Sequence, residues 1–484
     1  MTEQARQRVI EKKITFGVIV GTRGFFNPKH AENGRKEIIA KLDEKGFGYH
    51  ILPVDATPYG AVETLADAQK YAKLFRENQD DIDGIIVILP NFGDEQGVVE
   101  TISRSKLNVP VLVQAYNDST TAVDVKGRRD AFCGKLSVCN NLYQYGIPFT
   151  GTKSHTVDVN TKEFDADLDY FARVCRTVKG LTNARIGTIG ARPKPFQTVR
   201  YSEKIMQATG ITMVPVDLSE IIGAANKIDD THATVKDKLE KIRAYGKIPN
   251  TIVEQNIVKQ AKLSVAIDNW NTENQIDATA IQCWSSIQDN YGCATCLSMS
   301  MMGEELMPSA CEVDAAGVVS MYGLLLAAGT PPGFLDWNNN YGADKDMCVC
   351  THCSNYPKSF MGREIEISNL DILGMTLGAE RCFGAIKGHV AAGEMTYFRM
   401  STDDINGRIV SYVGEGEFTD DPFPMDGGIA VCRVPRLQAL MRYLTTNGFE
   451  HHVAMVRGRY GAVVQEAVES YLGWDNYSHE LPEE

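Results

Sequence analysis

Three residues in the middle of the chain have the types and the order of a metal-binding centre. Glu312 stands ahead of a long apolar helix pattern, Asp336 follows a Pro-Pro-Gly break, and His352 lies in a run of β-forming residues. Two carboxylates and one imidazole are ligands for a divalent cation, and so small a set leaves positions open for a substrate. The sequence therefore predicts a candidate metal site within residues 311–353, which other parts of the chain must complete.

The length and charge of the chain limit what such a site can serve. At 484 residues the chain is too long for one hydrophobic core, and about three domains are expected. It has no run of 18 apolar residues and its N-terminus is polar, so we expect no membrane association and a cytoplasmic location. A net charge of −13 argues against nucleic acid as a partner.

The first third of the chain alternates short apolar runs with helix patterns. The apolar runs lie at residues 14–21, 49–55, 83–90 and 109–115. This alternation predicts a doubly wound parallel sheet whose ligand crevice lies beyond the carboxyl ends of the strands. Arg23 follows the first of these strands and Asn91 the third, so both are candidate ligand-binding residues. Neither GxGxxG nor GxxxxGK[ST] follows a strand here, which disfavours dehydrogenases and kinases.

The rest of the chain suggests two further domains. Strand–turn–helix patterns restart at Ala184, and after Cys353 they give way to alternating polar and apolar residues, with Asn406-Gly407 as a hairpin turn. The predicted fold class is α/β, with two doubly wound parallel-sheet (Rossmann-like) domains followed by a mostly antiparallel, barrel-like β domain. We place these domains at residues 1–175, 176–354 and 355–484.

Twelve cysteines raise the alternative of a zinc site. Cys293-x-x-Cys296, and Cys348-x-Cys350 with Cys353, have spacings that zinc ligands use. Neither group has a partner pair at the spacing of a zinc finger or ribbon. Most of the cysteines lie in apolar surroundings, which favours reduced thiols that pack in the interior.

Several motifs resemble the L-fucose isomerase and L-arabinose isomerase superfamily. They are PNFGDE (90–95), RRDAFCG (128–134), QCW (282–284), YGCA (291–294), ACEVD (310–314) and the histidine pair 451–452. The motifs QCW, YGCA and ACEVD are similar to the family's CW…YG-x-x-C…ACE-x-D core and are the most specific of the six. The resemblance extends over roughly residues 16–461.

The resemblance implies a metal-dependent aldose–ketose isomerase that works through a cis-enediol. It implies that Glu312 and Asp336 are both metal ligands and acid/base groups, with His452 as a further ligand and His451 at the sugar. His352 matches a ligand histidine of the arabinose isomerases by its order in the chain, whereas the fucose isomerases lack it. Asp336 stands where the arabinose isomerases have glutamate, so the chain is closer to the fucose isomerase type. The implied ion is Mn²⁺, with Mg²⁺ or Co²⁺ as substitutes.

The resemblance also implies an assembly with shared active sites. Arg23 resembles the arginine that fucose isomerases lend to a neighbouring subunit, so we expect a homo-oligomer, either a trimer or a hexamer. Gln282, Trp284 and Asn91 are expected to contact the sugar.

The substrate and two other functional classes stay open at this point. A pentose, a 6-deoxyhexose or an anionic hexose such as sulfoquinovose would fit. The anionic option is kept open by loop cations, because guanidinium groups suit oxyanion binding; they are Arg23, Lys29, Arg192, Arg457 and Arg459. A non-catalytic sugar-binding or regulatory protein on the same scaffold is the main alternative, although retention of both acids and both histidines argues against it. A metal-dependent hydrolase is not distinguished by spacing alone.

Overall fold

The computed structural model describes residues 7–425 and 427–481. It divides the chain into two compact units. The N-terminal unit is Glu11–Lys179, and the C-terminal unit runs from Gly180 onward and includes the described residues before Glu11.

The described strands and helices have the following bounds. The strands are β1 (Thr15–Val20), β2 (Gly48–His50), β3 (Gly84–Leu89), β4 (Val111–Ala115), β5 (Thr150–Gly151), β6 (Arg185–Ile189), β7 (Thr212–Val216), β8 (Ala278–Ile281), β9 (Ser309–Cys311), β10 (Gly333–Tyr341), β11 (Asp344–His352), β12 (Glu366–Asn369), β13 (Phe383–His389), β14 (Gly393–Asp403), β15 (Arg408–Thr419), β16 (Gly428–Arg433), β17 (His452–Arg457) and β18 (Asp475–His479). The α-helices are α1 (Pro28–Lys45), α2 (Leu65–Glu77), α3 (Glu95–Ser105), α4 (Ala131–Gln144), α5 (Lys162–Thr182), α6 (Glu203–Ala208), α7 (Leu218–Lys227), α8 (Ala233–Tyr245), α9 (Glu254–Glu273), α10 (Ser286–Asn290), α11 (Cys296–Glu304), α12 (Ala315–Ala328), α13 (Lys358–Met361), α14 (Asp371–Leu377), α15 (Leu437–Thr446) and α16 (Gly461–Glu466).

The N-terminal unit is built on a parallel sheet with the strand order β2-β1-β3-β4-β5. Strands β3 and β4 are buried along their whole length, as expected for a sheet covered on both faces. The order reverses between β1 and β3, so the ligand crevice of this sheet lies beyond the ends of those two strands. Arg23 and Asn91 are the residues that follow them.

The C-terminal unit contains a second parallel sheet, in the order β7-β6-β8-β9. Its last strand, β9, ends just before Glu312, and α12 begins three residues later with Asp314 as its N-cap. All fourteen residues of α12 are buried, which explains its uninterrupted small and apolar sequence.

The remaining strands form a nine-stranded, mostly antiparallel sheet. An additional pairing between β15 and β16 closes β16, β11, β10, β17, β14 and β15 into a ring of six strands. The predicted fold class, with two parallel sheets and a barrel-like β region, is confirmed. The predicted hairpin at Asn406-Gly407 joins β14 to β15, which pair along their whole length.

The barrel begins earlier in the chain than the sequence suggested. Strands β10 and β11, within residues assigned to the second α/β domain, pair with barrel strands β17 and β16. Polar residues 338–340 interrupt the apolar alternation of β10, so the strand pattern was obscured. The division into domains at 1–175, 176–354 and 355–484 stays a proposal. Among the described residues, no helix is both long and apolar enough to cross a membrane.

Candidate metal centre and active site

Three neighbouring barrel strands carry the candidate ligands Asp336, His352 and His452. Asp336 lies on β10, directly opposite His452 on β17 and opposite Thr351 on β11. His352 is the last residue of β11. Because side chains of directly paired residues lie on the same face of a sheet, this register places Asp336 beside His452. His352 reaches Asp336 from the end of its strand, with Nδ1 in contact with the carboxylate.

The fourth candidate, Glu312, comes from the turn between β9 and α12. Its backbone has a φ of +62°, and that of Val313 is +56°. Two consecutive side-chain-bearing residues in the left-handed region are unusual and costly, and such conformations concentrate at functional sites. The turn directs a 5%-exposed glutamate toward the barrel histidines.

The distances within this group fit the coordination sphere of a small divalent ion. His452 Nε2 lies 3.0 Å from Glu312 Oε2 and 3.4 Å from Asp336 Oδ1. His352 Nδ1 lies 3.1 Å from Asp336 Oδ1. Neighbouring ligand atoms of an octahedral ion with bonds of about 2.1 Å are about 3 Å apart. His451 stands farther out, with Nε2 3.9 Å from Asp336 Oδ1 and 41% of its side chain exposed.

Three buried polar atoms of this group make no well-aligned hydrogen bond, although two of them, Glu312 Oε2 and His452 Nε2, lie 3.0 Å apart. The three atoms are Glu312 Oε2, His352 Nε2 and His452 Nε2. Burying such atoms without a partner is costly, and native structures rarely do so without a compensating ion or water. One carboxylate oxygen and two imidazole nitrogens are suitable donors for a divalent cation, so the residues present fit a metal ion.

A buried ion-pair network holds the imidazole of His452, one of the candidate ligands. His452 Nδ1 donates to Asp314 Oδ2 over 2.7 Å, and Arg399 Nη1 donates to the same oxygen over 2.7 Å. Arg399 Nε also donates to Glu450, and both Arg399 and Asp314 are fully buried. A Cβ at Gly317 would lie 2.8 Å from Arg399 Nη1, so glycine is required in this first turn of α12.

The charges of this network lower the pKa of the acid Asp314 and raise the pKa values of His452 and His352. Burial favours the neutral carboxyl of Asp314, yet Arg399 and His452 outweigh it and hold the pKa of Asp314 well below its usual range. Burial disfavours a charged imidazole at His452, but Asp314 and Glu312 together raise its pKa. Likewise Asp336 overcomes burial and raises the pKa of His352. At His451, burial and the neighbouring His452 lower the pKa.

Aromatic side chains surround the candidate metal ligands. Phe334 packs against His352 and His452, with ring centroids 5.2 and 4.8 Å apart. Phe196, in the loop after β6, lies 5.5 Å from the His451 ring and 5.8 Å from that of Trp284. Together these rings keep the ligand atoms in an apolar surround, where electrostatic interactions are stronger than in water.

A cavity of about 240 Å³ opens onto the ligand atoms. Glu312, Asp336, His352, His451 and His452 all line it. Its volume lies just below the range of about 300–1,000 Å³ that is typical of pockets for drug-sized ligands, so it suits a small molecule.

Trp284 and Gln282, two of the predicted sugar contacts, make hydrogen bonds to different parts of the C-terminal unit. Trp284 Nε1 donates to Glu312 Oε1 over 2.9 Å, so Trp284 directly orients the candidate catalytic acid. Gln282 Oε1 accepts a hydrogen bond from the Ala191 backbone in the loop after β6. The roles in sugar binding assigned to both residues stay predictions.

Arg23 and Asn91 belong to the N-terminal unit and are not among the residues around the cavity. Asn91 Oδ1 accepts from the Arg23 backbone N–H over 3.3 Å. The Arg23 guanidinium is paired with Glu95, and Asp94 lies 3.8 Å away. These two residues line the crevice of their own sheet, and their role in substrate binding remains a prediction.

The cysteines group differently from their spacing in the sequence. Cys353 lies with Cys283 and Cys311, and the three Sγ atoms are all within 4.8 Å of one another. Cys348 and Cys350 face each other within the barrel, with their Sγ atoms 3.9 Å apart. The spacing of Cys348, Cys350 and Cys353 in the sequence therefore does not correspond to one group of thiols.

Sequence reasoning missed several residues that shape the site. Asp314 was visible in the ACE-x-D motif, where its spacing from Glu312 marked it, but no role was assigned to it. Arg399, Phe196 and Lys387 gave no signal, because each is a single residue in a strand or loop whose neighbours in space are distant in sequence.

Two family models match the chain. "Fucose/sulfoquinovose isomerase, N-terminal domain" matches residues 17–182, and "L-fucose isomerase, C-terminal domain" matches residues 350–479. Together the two matches cover more than half of the chain, and the second includes His352, His451 and His452. The chain belongs to the fucose isomerase-like superfamily. As a member of this superfamily it is an aldose–ketose isomerase.

Curated relatives agree with this assignment to the fucose isomerase-like superfamily. The sulfoquinovose isomerase of Priestia aryabhattai is 24% identical over 413 residues, which covers 85% of this chain and 88% of the relative. The sulfoquinovose isomerase of Priestia megaterium matches with the same figures. That of Alkalicoccus urumqiensis is 25% identical over 385 residues, covering 77% of this chain and 81% of the relative.

Proposed function

We propose that this fucose isomerase-like chain is a divalent-metal-dependent isomerase that converts an anionic aldohexose of the sulfoquinovose type to its ketose through a cis-enediol. The observation that carries the proposal is the cluster of buried acid and imidazole groups on Glu312, His352 and His452, whose facing atoms make no well-aligned hydrogen bond and lie next to Asp336 at a small cavity. A protein that only binds sugar has no need of these costly atoms.

Glu312, Asp336, His452 and His352 would hold the ion, which we propose to be Mn²⁺, with Mg²⁺ or Co²⁺ as substitutes. A bound ion of this kind acts as a Lewis acid for the two substrate oxygens that carry negative charge during the reaction. His452 is suited to ligation because its Nδ1 proton is committed to Asp314, which leaves the Nε2 lone pair free. His352 Nδ1 contacts Asp336, so its Nε2 is the nitrogen that would be available to the ion.

The isomerisation requires a proton to leave C2 of the aldose and a proton to reach C1. Glu312 and Asp336 are the carboxylates that line the cavity beside the ligand histidines, and we assign this proton transfer and the exchange between the two oxygens to them. Trp284 fixes Glu312 Oε1, so the glutamate keeps one orientation while its Oε2 faces the site. Phe196 and Phe334 limit water near the reacting carbons.

One cationic side chain of the cavity lining is available to an anionic group of the substrate. Among the described lining residues, Lys387 is the single lysine or arginine, and Asp371 pairs with it. Asp371 is more than half exposed, so its pairing with Lys387 is screened and exchangeable. A sulfonate bound near Lys387 would keep its negative charge away from Glu312 and Asp336, the carboxylates that line the cavity beside the histidines. The curated relatives named above are sulfoquinovose isomerases, which agrees with this choice.

The remaining predicted roles complete the proposal. His451 is partly exposed at the cavity and is proposed to bind a sugar hydroxyl, with Gln282 and Trp284 as further contacts. Arg23 and Asn91 are proposed to act in the site of a neighbouring subunit within a homo-oligomer, either a trimer or a hexamer.

The proposal is tested by incubating Mn²⁺-loaded protein in D₂O with sulfoquinovose, L-fucose and L-arabinose. NMR follows ketose formation and deuterium at C1 and C2. We expect ketose from sulfoquinovose, with deuterium incorporated because the shuttled proton exchanges with solvent. Binding of the sugars without ketose or deuterium would contradict an isomerase and favour the sugar-binding alternative. Turnover of the neutral sugars alone would refute the anionic substrate and keep the isomerase.

A further inference from the structure

We propose that Cys283, Cys311 and Cys353 form a second metal site. This site takes a thiophilic ion such as Zn²⁺ or Cd²⁺ and stabilises the backbone next to the active site. The proposal rests on the positions of the three thiols and does not depend on the substrate. It concerns sulfur ligands, whereas the candidate active-site ligands are oxygen and nitrogen atoms.

The three thiols come from three strands that the fold brings to one point. Cys311 ends β9, and Cys283 lies two residues beyond the end of β8, whose Ile281 is directly paired with Cys311. Cys353 follows β11 of the barrel. The parallel sheet therefore supplies two ligands and the barrel the third, so a bound ion would cross-link the two layers of the C-terminal unit.

The spacing of the sulfur atoms suits an ion after a small contraction. All three Sγ atoms lie within 4.8 Å of one another. Zn–S bonds are about 2.3 Å, so sulfur atoms around a tetrahedral ion are about 3.8 Å apart. Movements of about 1 Å at side-chain torsions would close the group.

The thiols are buried and have a further thiol beside them, as the ligands of a metal site would. Cys283 and Cys311 are essentially inaccessible to solvent. A fourth buried thiol, Cys296, donates its S–H to the Cys353 carbonyl over 2.9 Å, so it stands beside the group as a further soft ligand. Cys353 also lines the substrate cavity, which gives an ion a path from solvent.

The two sites meet at Cys353, which lies within 4.8 Å of ligand atoms of Glu312 and His352 as well as of the other two thiols. Cys353 Sγ lies 4.0 Å from Glu312 Oε1, on the carboxylate oxygen opposite the one that faces His452. Thiolates prefer Zn²⁺, Cd²⁺ and Cu⁺, whereas carboxylates prefer Mn²⁺ and Mg²⁺. Because Cys311 precedes Glu312 and Cys353 follows His352, an ion on the thiols would fix the backbone of one residue from each layer of the active site.

The test is a titration of Cd²⁺ into the full chain after the hard site has been filled with Mn²⁺. Each thiol that binds releases its proton to solvent, and the thiolate–cadmium bonds give a charge-transfer absorption in the ultraviolet. We expect this absorption to saturate at one Cd²⁺ per chain. Cys283→Ser should weaken Cd²⁺ binding by more than about 100-fold, since even outer-shell partners of a metal account for about 10- to 100-fold.

Matched variants decide between the thiol groups. Cys175→Ser removes a buried thiol of the N-terminal unit and should leave the titration unchanged. Cys432→Ser removes a thiol from the barrel group that includes Cys348 and should also leave it unchanged. Absorption that survives Cys283→Ser but is lost in Cys432→Ser would overturn the proposal, as would its absence from the unmodified chain.

A second measurement covers the case in which Cys283→Ser does not fold. X-ray absorption of the unmodified chain with one Zn²⁺ and Mn²⁺ bound should find sulfur neighbours of zinc at about 2.3 Å. Only oxygen and nitrogen neighbours would contradict the thiol site. Neither readout uses sugar turnover, so the thiol site and the proposed isomerase activity are tested independently of each other.

Discussion

His452 and Asp314, 138 residues apart in the chain, are joined by a 2.7 Å hydrogen bond from Nδ1 to Oδ2. The bond orients the imidazole so that Nε2 faces Glu312 and Asp336. Arg399 holds the same carboxylate from the other side. A carboxylate–histidine pair of this kind fixes the tautomer and raises the basicity of a metal ligand.

Replacing Asp314 by Asn should therefore weaken Mn²⁺ binding by about 10- to 100-fold, because the neutral amide no longer fixes the His452 tautomer. Calorimetric titration of the metal-free variant with Mn²⁺ measures this. The matched control is Asp404→Asn, at an exposed residue elsewhere in the same unit, which should bind as the unmodified chain does. An unchanged Mn²⁺ affinity in Asp314→Asn would show that Asp314 does not support the ligand.

Replacing Trp284 by Phe separates two roles for this residue. Loss of the N–H donor to Glu312 should lower kcat by about 10- to 100-fold with little change in KM, since a hydrogen bond to a charged group contributes about 1.5–3 kcal/mol. Steady-state kinetics with sulfoquinovose measures both constants, with Trp270→Phe as the control. A raised KM at unchanged kcat would show that the Trp284 N–H serves sugar binding and does not orient Glu312 for catalysis.

Replacing Lys387 by Gln tests the anionic substrate. The KM for sulfoquinovose should rise by about tenfold or more, because a charge-assisted hydrogen bond to the sulfonate is lost. A neutral aldose, if turned over, should keep its KM. Lys345→Gln, at an exposed barrel residue, provides the control. Equal effects of Lys387→Gln on both kinds of sugar would remove Lys387 from sulfonate recognition.

Metal removal should lower stability. An ion that binds only the folded state adds about 2.7 kcal/mol at a concentration 100 times its Kd, so chelation should lower Tm and Mn²⁺ should restore it. Differential scanning calorimetry measures the shift. In a double substitution of Asp336→Asn and His452→Asn the restoration should vanish. A Tm that does not respond to chelation or to Mn²⁺ in the unmodified chain would argue against the metal centre.

Much of the fold followed from local patterns in the sequence. The apolar run at 83–90 contains strand β3 (Gly84–Leu89), because a buried strand is determined by nearby residues. The Asn-Gly turn likewise predicted the pairing of β14 with β15. Strand β2 is shorter than the apolar run at 49–55 suggested, since Pro53 and the turn after it end the strand early.

The site depended on register, which local patterns do not determine. Asp336 and His452 are directly paired on neighbouring strands, yet nothing in either segment specifies that pairing. The family motifs supplied what periodicity could not. Where no motif existed, as for Arg399, Lys387 and the thiol group around Cys283, the contacts became visible only in the folded chain.

The central claim is that Glu312 moves protons in an aldose–ketose isomerisation. Its most direct test compares the unmodified chain with Glu312→Gln, both supplied with Mn²⁺ and sulfoquinovose in D₂O, by NMR of deuterium incorporation and ketose formation. The account predicts that both processes fall by at least about 100-fold in Glu312→Gln, as general acid–base groups contribute about 10²- to 10⁴-fold, while Tm shows the variant to be folded. Full ketose formation and deuterium incorporation by folded Glu312→Gln would contradict it.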